Sequence, residues 1–418
     1  MAKLKIALFE PKFLTPRANS SSHLVLLKEQ ADVLAELADE VMVLVEAGER
    51  EVLPEENYKI YPIRGKLTSY SDTFSAKHTS IPYFSDFFSI DLIFKAAKLL
   101  KNLKPGVIYS CGSSFAGVYT AILSKLSRVP AVHYIMSHKT DIRKWYRYDI
   151  DSMGDYKIPF RYLIQQLVMD AIREIPRRDF ILRWGLKQIS NIICSSEYIK
   201  TDLKNISRNW KDMPVIYPAV SGFNREQIDS SEKGDPVITY FGHLWQGRGV
   251  LDLVVAFADV VKQYPQAKLM IASNNIQSLS ERYFKELVSK FNLRNNIILK
   301  SVVKDIYSDV LLKSTIIALP YRDIPSIKLL EAMAAARPVI TTDIGWASEV
   351  ISNNKNGSLI KKGDVEDLAK RIKMLIDNPV LARQIGQAAR HTVSEMCNLT
   401  VNTKKILEVL NEAAHANQ

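Results

Sequence analysis

The stretch PYRDIPSIKLLEAMAAARPVITTDIGWASEV, residues 320–350, decides the reading of this 418-residue chain. It continues the β-branched run TIIALP (315–320), breaks at Pro320 and Pro325, carries Leu, Ala and Met at helical spacing over 327–336, and re-enters an extended run at PVITTD (338–343). A strand, a turn, a helix and a second strand in that order are the repeating unit of a parallel sheet. Asp323 and Ser326 stand at the helix entry, and Glu331 lies just inside it. Backbone N–H groups of Ser326, Ile327 and Lys328 at such an entry lack intrahelical acceptors, so the turn is a candidate anion site. Carboxylates accept hydrogen bonds, so Asp323 and Glu331 suit the hydroxyls of a ribose or sugar better than a phosphate. The same two residues also suit a plain helix cap and a solvated helix carboxylate.

The alternation extends outward on both sides. Strands are predicted at VITYFG (237–242), AKLMIAS (267–273) and NIILKSV (296–302), with helices over 249–264, 277–291 and 304–313. A first series precedes them, with strands at KIALF (5–9), EVMVLVEA (40–47), GVIYSC (106–111), PAVHYIM (130–136) and NIICSS (191–196) and a helix from His23 to Leu37. Between the series lies PAVSGFNREQIDSSEKGDP (218–236), whose Ser, Gly and charge read as an exposed linker. The expected fold class is α/β: two Rossmann-like three-layer domains, 1–220 and 221–398, followed by a helix at 399–418 that packs back on the first. The tail from Asp364 holds only amphipathic helical runs.

Composition narrows the partners. The chain is 47% hydrophobic and 24% charged, with 56 Lys/Arg against 45 Asp/Glu and a formal net charge of +11, which excludes collagenous and disordered classes and favours anionic ligands. Residues 91–190 hold seventeen Lys/Arg and eight Asp/Glu, including FRYLIQQLVMDAIREIPRRDFILRWGLKQ, where basic and apolar residues mix at helical spacing. This window is a solvated helix face or a peripheral contact with an anionic membrane. No DNA-reading motif accompanies it, and no nucleic-acid partner is expected. Cys111, Cys194 and Cys397 match no disulfide or zinc spacing, and the N-terminus MAKLKIALFEPK reads as a strand rather than a signal peptide. The expected location is the cytoplasm, peripheral on the inner face of the membrane.

A second candidate loop is GHLWQGRGV, residues 242–250, which leaves a predicted strand through Gly242, Gly247 and Gly249 and brings His243 and Arg248 toward the same strand ends. The glycines do not fit a dinucleotide fingerprint. With FGHLWQGRG, KLLEAMAAARPVITTDIGWASEV and NGSLIKKGDVEDLAKRI together, the chain over 237–395 resembles the donor-binding domain of family 4 glycosyltransferases, retaining enzymes of the GT-B fold. The resemblance implies two domains facing a central crevice, the first on the acceptor side and the second binding a nucleotide-sugar. It implies that His243 and Arg248 hold the donor diphosphate. It also implies that the acids of the family's Glu-x7-Glu, here Asp323 and Glu331, contact the transferred sugar and the nucleotide ribose. Backbone N–H groups of Ser326, Ile327 and Lys328 would complete the anion site.

In the first half the family's Gly-Gly loop is replaced by TPRANSSSH (15–23). His138 matches a family histidine near the transferred sugar, while His133 suits the core. Glu349, after Gly345 and Trp346, suits a loop-stabilising role. The implied activity is transfer from a UDP- or GDP-linked sugar to a glycan, lipid-linked or small-molecule acceptor in envelope or polysaccharide synthesis. The resemblance further implies that anomeric configuration is retained and that Arg248, Asp323, Glu331 and His138 contribute to the chemistry, and no cofactor or metal ion is expected. A non-catalytic partner subunit on the same fold is the alternative, motivated by His243, Asp323 and the missing glycines.

Overall fold

The structure is a computed structural model, and it describes residues 4–10, 22–46, 56–63, 90–137, 184–189, 191–204, 213–220, 234–242, 244, 246–273, 279–300 and 305–416. The linker 221–233, the turn 15–21, and residues 138–183 of the basic window fall outside the described residues, as do His138 and His243.

Among the described residues, twelve strands form two six-stranded parallel sheets. In the first, β1 (Lys5–Phe9), β2 (Glu40–Glu46), β3 (Lys59–Ile63), β4 (Val107–Ser113), β5 (Ala131–Ser137) and β6 (Asn191–Cys194) lie in the order 3-2-1-4-5-6. The second repeats that order from β7 (Val237–Phe241), β8 (Lys268–Ala272), β9 (Ile297–Lys300), β10 (Ile316–Leu319), β11 (Val339–Thr342) and β12 (Ser358–Ile360), with β7 and β10 paired at its centre. The central strands are almost entirely apolar because helices cover both faces: Ile316, Ile317, Ala318 and Leu319 are all fully buried. Each sheet belongs to its own compact unit, and each unit is a Rossmann-like three-layer domain.

The first unit holds the described residues up to Ser137, those from Trp184 to Ala219, and the C-terminal helix Leu399–His415. That helix packs along the helix Ser22–Leu37, and its Asn402 donates to the Tyr217 carbonyl at 2.9 Å. The connections β1→β2 and β4→β5 leave the sheet centre in opposite directions, so right-handed crossovers put the helices Ser22–Leu37 and Ser114–Ser127 on opposite faces. The helix Ile90–Leu103 packs beside Ser114–Ser127. The second unit runs from Val220 to Asn398.

Sequence patterning missed two strands, both at sheet edges. β3 contains Pro62, which cannot donate to a ladder and is tolerated only at an edge, and β12 is three residues long. The helix expected over 304–313 is a short helix, Ile306–Asp309, followed by a 3-10 turn, Leu311–Lys313. His133 is fully buried: its Nδ1 lies 2.7 Å from Ser110 Oγ, its Nε2 lies 3.0 Å from the Ser113 carbonyl, and burial pulls its pKa down to about 4. All three cysteines are buried and free, with burial raising each thiol pKa. No described helix is long and apolar enough to cross a membrane.

Candidate functional site

In a doubly wound sheet, ligands bind beyond the carboxyl ends of the strands where the order reverses, here β7 and β10. The two loops singled out in the sequence leave these two strands, and they interlock. The N–H groups of Arg322 and Asp323 both donate to the Gly247 carbonyl, at 2.9 and 3.1 Å. Gly249 has φ +72, and a Cβ there would lie 1.7 Å from the Pro320 carbonyl oxygen, so glycine is required on both counts. A Cβ on Gly247 would lie 3.2 Å from Asp323 Oδ2. The glycines that fail the dinucleotide fingerprint are therefore there to let one loop lie on the other.

That contact brings the expected side chains together. Arg248 Nη1 lies 3.3 Å from Asp323 Oδ1 and donates to the Ile324 carbonyl at 3.1 Å, while its guanidinium sits 5.5 Å from the centre of the Tyr321 ring. The Asp323 side chain is 9% exposed and that of Arg248 23%. Tyr321 is buried, its phenol pushed up to about 12 by burial, and its hydroxyl is 3.1 Å from Ser326 Oγ. It stays protonated at neutral pH and presents a neutral aromatic face to the guanidinium.

Lys328 reaches back toward Gly242 and β7. A Cβ on Gly242 would lie 3.5 Å from Lys328 Cδ, and the ammonium is 5.2 Å from the centre of the Phe241 ring and 3.6 Å from Glu331 Oε2. Two cations and two carboxylates thus meet over one pair of strand ends. The helix here is Lys328–Ala334, with Ile327 at its N-cap and no side-chain cap. Its first turn is tight: Leu329 and Leu330 donate to the Ser326 and Ile327 carbonyls, each at 2.9 Å. The N–H groups of Ser326, Ile327 and Lys328 make no backbone hydrogen bond among the described residues. No group of three or more His, Cys, Asp and Glu side chains suited to a metal ion occurs among the described residues.

The sequence reading overlooked two supports of this turn. Arg322 forms a bidentate pair with Asp252, both contacts 2.6 Å, which ties the turn to the first turn of the helix Val250–Gln263. An acid inside the otherwise apolar VLDLVVAF run is the signal that could have found it. Trp346, after β11, donates its indole N–H to the Pro325 carbonyl at 3.1 Å. The tryptophan of the GW pair thus touches the site turn.

The paired, doubly wound units define a protein of the GT-B fold, and solved structures of that fold align along the whole chain. Sucrose-phosphate synthase from Thermosynechococcus elongatus superposes with a TM-score of 0.72 at 16% identity, covering 99% of this chain and 100% of that one. Anabaena Alr3699/HepE in complex with UDP and glucose superposes with a TM-score of 0.68 at 17% identity, covering 98% and 99%. Residues 223–392 match the family described as glycosyl transferases group 1. That match lies in the second unit.

Among sequence relatives, the poly(ribitol-phosphate) alpha-N-acetylglucosaminyltransferase of Staphylococcus aureus is 29% identical over 327 residues, 76% of this chain. The aligned segment covers 56% of that enzyme, and a match to EpsD of Bacillus subtilis, 29% identical over 158 residues, covers 38% of this chain and 41% of that protein.

Proposed function

We propose that the chain transfers a sugar from a UDP- or GDP-linked donor to a glycan, lipid-linked or small-molecule acceptor, with retention of configuration and without a divalent cation. The observation that carries this reading is the convergence of Arg248, Lys328, Asp323 and Glu331 where the loops after β7 and β10 interlock. Similar proteins agree in kind, one relative an N-acetylglucosaminyltransferase and one fold neighbour bound to UDP and glucose.

In this reading Arg248, Lys328 and the N–H groups of Ser326, Ile327 and Lys328 receive the diphosphate, with His243 beside them. Glu331 accepts from the ribose. Arg248 exchanges its contacts with Asp323 and the Ile324 carbonyl for phosphate oxygens, which releases the Asp323 carboxylate to accept from a sugar hydroxyl. The resemblance alone assigns His138 to the transferred sugar. The bond between the anomeric carbon and the β-phosphate oxygen breaks as the acceptor oxygen bonds to the same face. The departing phosphate takes the acceptor proton, so no side chain acts as nucleophile.

The cations act where charge develops on the leaving group, and losing one such contact costs about 100- to 1000-fold in rate. The test is release of nucleoside diphosphate and sugar transfer from UDP- and GDP-sugars in the presence of a chelator. Arg248→Ala and Lys328→Ala should each lose about 100-fold or more. Transfer by either at the wild-type rate, or complete dependence on added metal, overturns the assignment.

A further inference from the structure

The first unit carries a face that the transfer reading does not use. The helix Ile90–Leu103 buries Leu92, Ile93, Ala96, Ala97 and Leu100 in the core, so its apolar stripe is already satisfied. On the opposite side Phe94 is 59% exposed, although nothing in the helix's own packing needs a large apolar group there. Lys98 and Lys101, four and seven residues on, share that exposed side, placing ammonium groups around the ring.

The same layout recurs across the adjoining elements. The helix Ser114–Ser127 packs beside Ile90–Leu103, and the segment from Trp184 packs on it in turn: a Cβ at Gly185 would lie 2.7 Å from Val118 Cγ2. Trp184 is 40% exposed, and the Lys125 ammonium lies 5.3 Å from its ring centre. From Ile90 to Ser137 the chain has six Lys/Arg and a single acid, Asp91, which is held 2.7 Å from Lys95. Among the described residues of these elements the charge is therefore almost wholly positive.

We propose that this face, centred on Phe94, Lys98, Lys101, Lys125 and Trp184, docks on an anionic lipid bilayer. An exposed aromatic set among lysines suits the bilayer interface, where the ring enters the headgroup boundary and the ammonium groups meet lipid phosphates. A ring flanked by cations on a convex helix serves a flat surface, whereas nucleic acid would be read by a groove or a platform of stacking rings. The contact is peripheral, since no described helix can cross the membrane. It stands independently of the transfer activity.

The test is flotation of the full chain with vesicles of phosphatidylcholine alone, and of phosphatidylcholine mixed with phosphatidylglycerol, at low and high salt. Binding is expected only to the mixed vesicles, and salt should weaken it. Each lysine near an anionic surface contributes about fivefold in partitioning, so Lys98→Ala/Lys101→Ala should lose about 25-fold. Phe94→Ser should weaken binding while leaving its salt dependence intact.

The control is Lys404→Ala/Lys405→Ala, which removes the same charge from the exposed side of the helix Leu399–His415, on the other face of the sheet. It should bind as the wild type does, and unchanged thermal unfolding of all variants excludes misfolding. Absence of binding by the wild type, equal binding to neutral vesicles, or an equal loss in the control pair overturns the proposal. Displacement from vesicles by single-stranded nucleic acid at matched phosphate concentration would assign the face to that partner instead.

Discussion

Replacing Asp323 by Asn should tighten binding of the free nucleoside diphosphate while slowing transfer from the intact donor. Arg248 is held by the Asp323 carboxylate at 3.3 Å and by the Ile324 carbonyl at 3.1 Å, so a diphosphate must compete with an internal counter-ion for the guanidinium. The Arg248–Asp323 contact is an ion pair rather than a hydrogen bond, and a partly exposed pair of this kind contributes about 0.2–1 kcal/mol. An Asn at this position removes the charge, so about that much is freed for the ligand. At 1.4 kcal/mol per factor of ten, Kd should fall about 1.4- to five-fold. Isothermal titration with UDP and GDP reads this directly, and a parallel transfer assay should show kcat falling, because the released carboxylate no longer accepts from the sugar. A variant with unchanged or weaker diphosphate affinity refutes the exchange of partners at Arg248.

Other perturbations test the scaffold. Gly249→Ala forces a Cβ to 1.7 Å from the Pro320 carbonyl oxygen at a positive φ, and chemical denaturation should show a loss of about 3 kcal/mol or more; an unchanged midpoint contradicts the interlocked loops. Arg322→Ala leaves Asp252, 5% exposed, without its bidentate partner and should cost about 3–5 kcal/mol, with Arg322→Ala/Asp252→Ala costing less than the sum of the single changes. His133 gives a pH signature. Its folded pKa near 4 lies below its ordinary value of 6.5, so the unfolded chain binds the extra proton. Its contribution is complete above pH 6.5 and is lost as pH falls toward 4, about 3 kcal/mol in all. Comparing urea unfolding of wild type and His133→Gln across that range should show a steeper slope in the wild type.

Much of this architecture is legible in the sequence because buried parallel strands are continuous apolar runs between amphipathic helices. Ten of the twelve described strands register in that pattern, and the two that escape it are edge strands, one broken by Pro62 and one of three residues. The loops 242–250 and 320–328 are legible as site candidates because their glycines, prolines and charges stand out from the apolar background. What the pattern hides is which side chains touch. That Asp323 pairs with Arg248 depends on Gly247 and Gly249 allowing two loops to overlap, and sequence spacing holds no trace of that approach. The Asp252–Arg322 pair joins residues seventy apart, and the Trp346 contact joins residues twenty-one apart, both long-range consequences of sheet order.

The most direct test of the donor site is thermal unfolding of the purified chain with UDP, GDP, ADP and NAD, each with magnesium and with chelator, alongside Arg248→Ala. A ligand at 100 times its dissociation constant adds about 2.7 kcal/mol to stability. The account predicts stabilisation by UDP or GDP, equal with magnesium or chelator and lost in the Arg248 variant; stabilisation by NAD alone, or by no nucleoside diphosphate at all, would contradict it.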